Sequence, residues 1–277
     1  MLCDIGGSQK SQPFETYSFL LLDLDQNPYW LHGQAEFRKR VFLQRRRMAF
    51  KAMNDGARRR ALRPFLQLSE VLNGVLVTFA IHKTERPEIG FGGSAEDELA
   101  AVWKPAVIDR LMWMVYLGAF LVSGLSVGGQ DVMFILDEDE VAANVPQLTK
   151  LTEIFGRAVA NQQGPMMGHL RCGTTKSDDG SLALEDLAAL PDLAAGAAAE
   201  FVCAFATESA GPLSPFLQRL PSSVSWKTRM IMPWLLSSGR SLERMICLID
   251  GVPGSEKWRV TIPDWFVAAG LVDTARN

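Results

Sequence analysis

The sequence predicts an α/β fold, a mixed β-sheet flanked by helices, with a mostly helical C-terminal extension. Three observations carry this. Apolar runs such as 17–24 (YSFLLLDL), 75–81 (VLVTFAI) and 132–136 (VMFIL) are bounded by turn residues or charge and are too short for helices. Longer stretches between them carry apolar residues at helical spacing. With 277 residues and 48% hydrophobic content, the chain can bury a substantial core.

The elements follow in order. A short strand at 2–5 ends in Gly6-Gly7-Ser8 and pairs as a hairpin with the strand at 17–24. Phe37, Val41, Phe42, Met48 and Phe50 recur among arginines, which predicts one basic amphipathic helix over 34–53. Asn54-Asp55-Gly56 breaks it before a second helix over 57–72, which carries Pro64 near its middle. After the strand at 75–81, residues 95–127 read as helix, 132–136 as strand and 141–160 as helix. A strand is expected at 167–172, a polar loop at 173–181, and a helix over 182–206 with Pro191 as a break. Residues 212–238 look helical, and short strands at 245–249 and 258–262 follow. Strands come first and then alternate with helices, the pattern of a covered mixed sheet. The expected organisation is a domain over 1–207 and an extension over 208–277 packed on it.

Cys3, Cys172, Cys203 and Cys247 are scattered without a CxxC pair, so no zinc site or disulfide framework is indicated. The start lacks the basic and long apolar segments of a signal peptide, and a cytoplasmic protein is expected. The uncharged stretch 111–130 is long enough to span a bilayer, but its four glycines and two serines favour a buried helix. Residues 111–127, if not wholly buried, could also serve as a subunit interface, which leaves a homo-oligomer open. The net charge of −3 hides an asymmetry: residues 38–63 hold eleven Lys or Arg against one acid, Asp55. Such a block is either a phosphate footprint or a solvated face that pairs with the acidic remainder.

Three aspartates stand where a sheet would gather carboxylates. Asp4 lies on the first strand before a glycine turn, and Asp137 ends VMFIL. Asp192 opens a small-residue segment, with Ala194, Ala195, Gly196 and Ala198 letting the backbone approach the sheet. Magnesium prefers oxygen ligands, and phosphodiester hydrolysis uses carboxylates converging on one point. Each acid has an ordinary alternative: a turn residue at Asp4, a strand-end acid at Asp137, a first-turn helix acid at Asp192.

The strand-borne Asp with Gly-Gly-Ser, the Asp after VMFIL and the late PDLAAG segment resemble RNase H-like nuclease domains. They are closest to bacterial members with an N-terminal acid and an Asp-Leu-x-Ala-Gly helix, and the resemblance covers about residues 1–207. It implies that Asp4, Asp137 and Asp192 ligate Mg2+ or Mn2+ for nuclease chemistry on DNA or RNA, with Asp139 as the substitute for Asp137. The helix-borne glutamate of that family has only Glu36 as a weak counterpart.

Arg45, Arg46, Arg47 and Lys51, within about one and a half turns of helix, would grip a nucleic-acid backbone, Lys83 could reach a phosphate, and Ser177 with Asp178 and Asp179 could orient substrate or metal. His82 is a candidate base, and Trp30 and Trp103 are candidate base-stacking residues, core packing being the ordinary alternative for both. Asp4-Ile-Gly-Gly-Ser8 also resembles the first phosphate loop of actin-like kinases and ATPases, which requires a second such loop; residues 250–255 are the nearest approximation. A third reading is a nucleic-acid-binding protein without activity.

Overall fold

The apolar runs assemble into a seven-stranded mixed sheet. A computed structural model describes residues 1–9, 12–43, 46–84, 89, 95–137, 140–209, 220–239, 241–251 and 258–263. The strands are β1 (Leu2–Gly6), β2 (Phe14–Leu22), β3 (Gly74–His82), β4 (Val132–Leu136), β5 (Leu170–Thr174), β6 (Leu242–Gly251) and β7 (Trp258–Thr261). Their order is β5-β4-β1-β2-β3-β6-β7. The pairs β1–β4, β4–β5 and β3–β6 are parallel, while β2–β3 and β6–β7 are antiparallel. The helices are α1 (Pro28–Arg40), α2 (Gly56–Ser69), α3 (Ala95–Ala100), α4 (Pro105–Leu125), α5 (Val145–Asn161), α6 (Ala183–Ser209) and α7 (Trp226–Leu236).

The chain divides into two compact units, 1–3 with 87–177 and 4–86 with 178–277. In the first, α5 is capped by Asn144, whose side chain accepts the Gln147 N–H at 3.0 Å. It turns Phe155 onto Phe134 of β4, with ring centroids 4.8 Å apart. The helix expected over 95–127 is two helices. Pro105 occupies the first turn of α4, where its missing N–H costs nothing, and Trp103 in the break is buried and donates to the Val141 carbonyl at 2.9 Å.

In the second unit, β2 and β3 pair along their whole lengths, from Phe14 opposite His82 to Leu22 opposite Gly74, and α6 packs across both. Pro191 does not break α6. The helix runs through it, although proline cannot donate to the carbonyl one turn earlier. Pro64 is likewise carried inside α2, whose N-cap Asp55 accepts the Ala57 N–H at 2.8 Å.

Two expectations are corrected here. The basic helix over 34–53 does not exist as one element: α1 begins earlier, at Pro28, and stops at Arg40. The chain then folds back, because Arg38 donates to the Arg46 carbonyl at 2.7 Å and places its guanidinium 5.0 Å from the Phe42 ring centroid. Phe42, Met48, Phe50 and Met53 are thereby all buried from largely irregular backbone. Among its described residues the C-terminal region is not mostly helical: α7 is followed by β6, which pairs parallel with β3, and by β7, and the two widen the sheet.

By length and composition α4 and α6 could cross a membrane, but 61% and 72% of their apolar stretches are buried inside the protein, consistent with core helices of a soluble fold. Phe120 and Leu125 of α4, and Val127 beyond it, remain exposed.

Candidate functional site

Close backbone approach builds the site. A Cβ on Gly6 of β1 would lie 2.4 Å from the Ala195 carbonyl oxygen of α6, so only glycine admits the helix at this distance. The same carbonyl accepts a hydrogen bond from the Thr16 hydroxyl of β2 at 2.8 Å. Gly7 has φ +71°, and its added Cβ would meet the Phe14 carbonyl oxygen at 2.5 Å. One turn beyond Asp192, a Cβ on Gly196 would strike the Phe50 ring at 2.4 Å. The small residues of PDLAAG therefore seat α6 directly on β1, β2 and the 3-10 turn Phe50–Ala52.

That seating brings Asp4 and Asp192 into contact. Both are half-buried, and their carboxyl groups are hydrogen-bonded to each other. Burial, the Asp192 charge and the hydrogen bond from Asp192 push the Asp4 carboxyl well above the usual range, against the opposing effects of the Ile5 N–H and the Arg47 charge. The Asp4 carboxyl thus holds its proton to higher pH than an isolated aspartate would. Asp192 sits inside α6 rather than in its first turn, so a favourable helix-dipole position does not account for it. Its Oδ2 accepts the Phe50 N–H at 2.7 Å.

Lys227 of α7 holds Phe50 from the other side. Its ammonium donates to the Phe50 carbonyl at 3.0 Å and lies 3.8 Å from the ring centroid. Burial lowers its pKa, while the charges of Glu200 and Asp192 oppose the shift. Glu200 of α6 in turn accepts from the Ser225 hydroxyl at 2.8 Å and the Thr228 hydroxyl at 2.6 Å, fixing the start of α7. Sequence reasoning missed Phe50 and Lys227. Gly196 within the alanine run signalled the helix approach, but nothing in the sequence named what would occupy the space.

The other expected site residues are placed as follows. Asp137 follows β4 directly, is half-buried and belongs to the unit of β4 and β5, whereas Asp4 and Asp192 belong to the other. Asp139 and Arg45 lie outside the described residues, as does most of 250–255. Among the described residues no group of three His, Cys, Asp or Glu is arranged to hold a metal ion. Ser177 ends a 3-10 turn after β5. Asp178 accepts the N–H groups of Gly180, Leu182 and Leu184, all within 2.8 Å, and Asp179 accepts that of Ser181 at 2.9 Å; both organise the entry to α6. Lys83 donates to the carbonyls of Gly7 and Gln9 at 2.7 Å each, tying down the glycine loop. His82 packs edge-on to Phe14, with ring centroids 4.9 Å apart. Trp30 and Trp103 are core residues.

The basic segment is divided between ion-paired and exposed side chains. Arg38 forms a buried pair with Asp186, which also accepts from Gln34 at 2.8 Å. Arg46 and Arg58 both bind Asp55, and Arg47 is 3.8 Å from Glu185. Lys39 and Arg40 pair with Glu36. Because 34–53 is not one helix, Arg46, Arg47 and Lys51 are not gathered on consecutive turns of a single helix. Lys51 is exposed within the Phe50–Ala52 turn, and Arg59, Arg60 and Arg63 project from α2.

No family model, no curated protein and no solved structure matches the chain.

Proposed function

We propose that this protein is a metal-dependent nuclease of RNase H-like type, with Asp4 and Asp192 as the pair that holds Mg2+ or Mn2+. The observation that carries the reading is the hydrogen-bonded contact between these two half-buried carboxyls. Two carboxylates pressed together must share either a proton or a cation. Their hard oxygen donors suit magnesium, which commonly takes one or two carboxylates and completes its shell with water and phosphate oxygens. Asp4 on a strand and Asp192 on a helix crossing the sheet also support the resemblance.

When bound, the metal would supply polarisation of a phosphoryl oxygen and a more acidic bound water. The chain's own residues prepare the site. The Phe50 N–H orients one oxygen of Asp192, the Ile5 N–H orients Asp4 Oδ1 at 2.7 Å, and the Arg47 charge opposes protonation of Asp4. The nucleotide-phosphate alternative is disfavoured because Gly6 and Gly7 are closed over by Ala195 and Phe14, and so serve packing. The test is cleavage of DNA and RNA with Mg2+ or Mn2+ by wild type, Asp4→Asn and Asp192→Asn, beside Mn2+ binding. Loss of both cleavage and Mn2+ binding in the variants supports the reading, and unchanged cleavage overturns it.

A further inference from the structure

Of the residues expected from sequence to grip a polyanion, Arg46 and Arg47 are engaged in ion pairs and Lys83 in hydrogen bonds to carbonyls, yet another group of cations has no carboxylate partner among the described residues. Arg59, Arg60 and Arg63 of α2 are exposed, and none has a carboxylate partner among the described residues. Arg63 is three residues from Arg60 and four from Arg59, so the three occupy adjacent positions on the helix surface. Their placement opposes helix stability. The first turn of α2 contains no acid, and Arg58, Arg59 and Arg60 stand near the N-terminus, where the helix dipole disfavours cations. Like charges one turn apart add repulsion. Arg58 is compensated by Asp55, but Arg60 and Arg63 are not.

The group is also continuous with the carboxylate pair. The Arg59 guanidinium lies 4.6 Å from the Trp226 ring centroid. The next residue, Lys227, reaches Phe50, whose N–H binds Asp192, the partner of Asp4. A row of positive charge thus ends beside the Asp4 and Asp192 carboxyls. Arginine on helix surfaces grips phosphate without reading bases, and a stacked Arg–Trp pair presents a flat π face to an unpaired base.

We infer that Arg59, Arg60 and Arg63 form the track that binds the phosphodiester backbone of a single-stranded nucleic acid and leads it to Asp4 and Asp192. The inference rests on the nuclease reading for its destination, but binding along the track does not require cleavage. The experiment measures anisotropy of a fluorescein-labelled single-stranded oligonucleotide without divalent metal across a sodium chloride series. It compares wild type, Arg59→Ala/Arg60→Ala/Arg63→Ala, Arg60→Ala/Arg63→Ala and Lys39→Ala/Arg40→Ala.

The triple variant is expected to bind about tenfold more weakly or worse, with a log Kd against log salt slope shallower by about 2. The double variant, which removes only exposed side chains without ionic partners, gives an intermediate slope and guards against a folding defect. Lys39→Ala/Arg40→Ala stays at the wild-type slope. An unchanged slope in both α2 variants overturns the inference, as does absence of oligonucleotide binding by wild type or a preference for phosphatidylserine vesicles. Track-dependent binding without metal-dependent cleavage overturns the nuclease reading alone, and cleavage with track-independent binding overturns the track alone.

Discussion

The backbone N–H of Phe50 donates to the Asp192 carboxylate at 2.7 Å across a separation of 142 residues. It couples an irregular segment of the basic region to the centre of a helix, and Gly196 makes the approach possible. Gly196→Ala puts a methyl group where the Phe50 ring stands. We expect a loss of about 1–3 kcal/mol in urea unfolding, the usual cost of overpacking. Weaker Mn2+ binding should accompany it, as the ring shift displaces the N–H.

Asp4 gives a pH signature. Its folded carboxyl is raised, chiefly by burial and then by Asp192. Its contribution to stability is therefore fully present below the unfolded aspartate range and is lost as pH rises through the folded value. Asp4→Asn removes this penalty, so its stability relative to wild type should grow from mildly acid to neutral pH. A gain of about 0.5–2 kcal/mol at neutral pH is expected from denaturant titrations. Added Mg2+ should raise wild-type stability and leave Asp4→Asn unaffected, closing the gap.

Arg38 and Asp186 form the buried ionic contact between α1 and α6, with the Asp186 side chain fully enclosed. Burial raises the Asp186 pKa despite the hydrogen bond and charge of Arg38. Arg38→Met leaves a buried unpaired carboxylate and should cost about 3–5 kcal/mol at neutral pH. Because the raised carboxyl favours folding when protonated, the deficit should shrink as pH falls toward the unfolded aspartate range. A deficit independent of pH would refute this account.

Glu208, near the end of α6, receives the Ser223 hydroxyl at 2.8 Å and the Ser222 and Ser223 N–H groups at 3.1 and 3.0 Å. The Ser223 hydroxyl and N–H, followed by the Ser222 N–H, lower its pKa to about 2. Carbon-detected NMR should find Glu208 titrating there, with its stabilising contribution present above the ordinary glutamate range and lost as pH falls through about 2. Ser222→Ala/Ser223→Ala should move the titration up toward the ordinary value.

Local patterning made much of the fold legible. The run VMFIL is strand β4 over its full length, and VLVTFAI forms all but the ends of β3, because a short apolar stretch between turn signals has few other ways to bury itself. The small residues after Pro191 pointed to close packing against the sheet, which Gly6 and Thr16 now explain. The proline itself misled. A single missing hydrogen bond is offset when both flanking turns of α6 are buried, a tertiary effect outside local propensity.

The basic block misled for a related reason. Helical spacing of Phe37, Phe42 and Phe50 did not mark one helix, since α1 ends at Arg40, leaving Phe37 on α1, Phe42 beyond it and Phe50 in a 3-10 turn, all three buried. Charge counts could not distinguish Arg38 and Arg58, which are paired inside, from Arg60 and Arg63, which face solvent.

By itself, then, the sequence determined an α/β protein with a mixed sheet, a glycine turn after an early aspartate and a small-residue approach around a late one. These are consequences of local periodicity and side-chain size. Tertiary structure alone decided that Asp4 and Asp192 meet, that Phe50 and Lys227 support them, and which arginines stay unpaired. Such facts depend on contacts between residues far apart in the chain, where burial and neighbouring charge, rather than residue identity, set the chemistry.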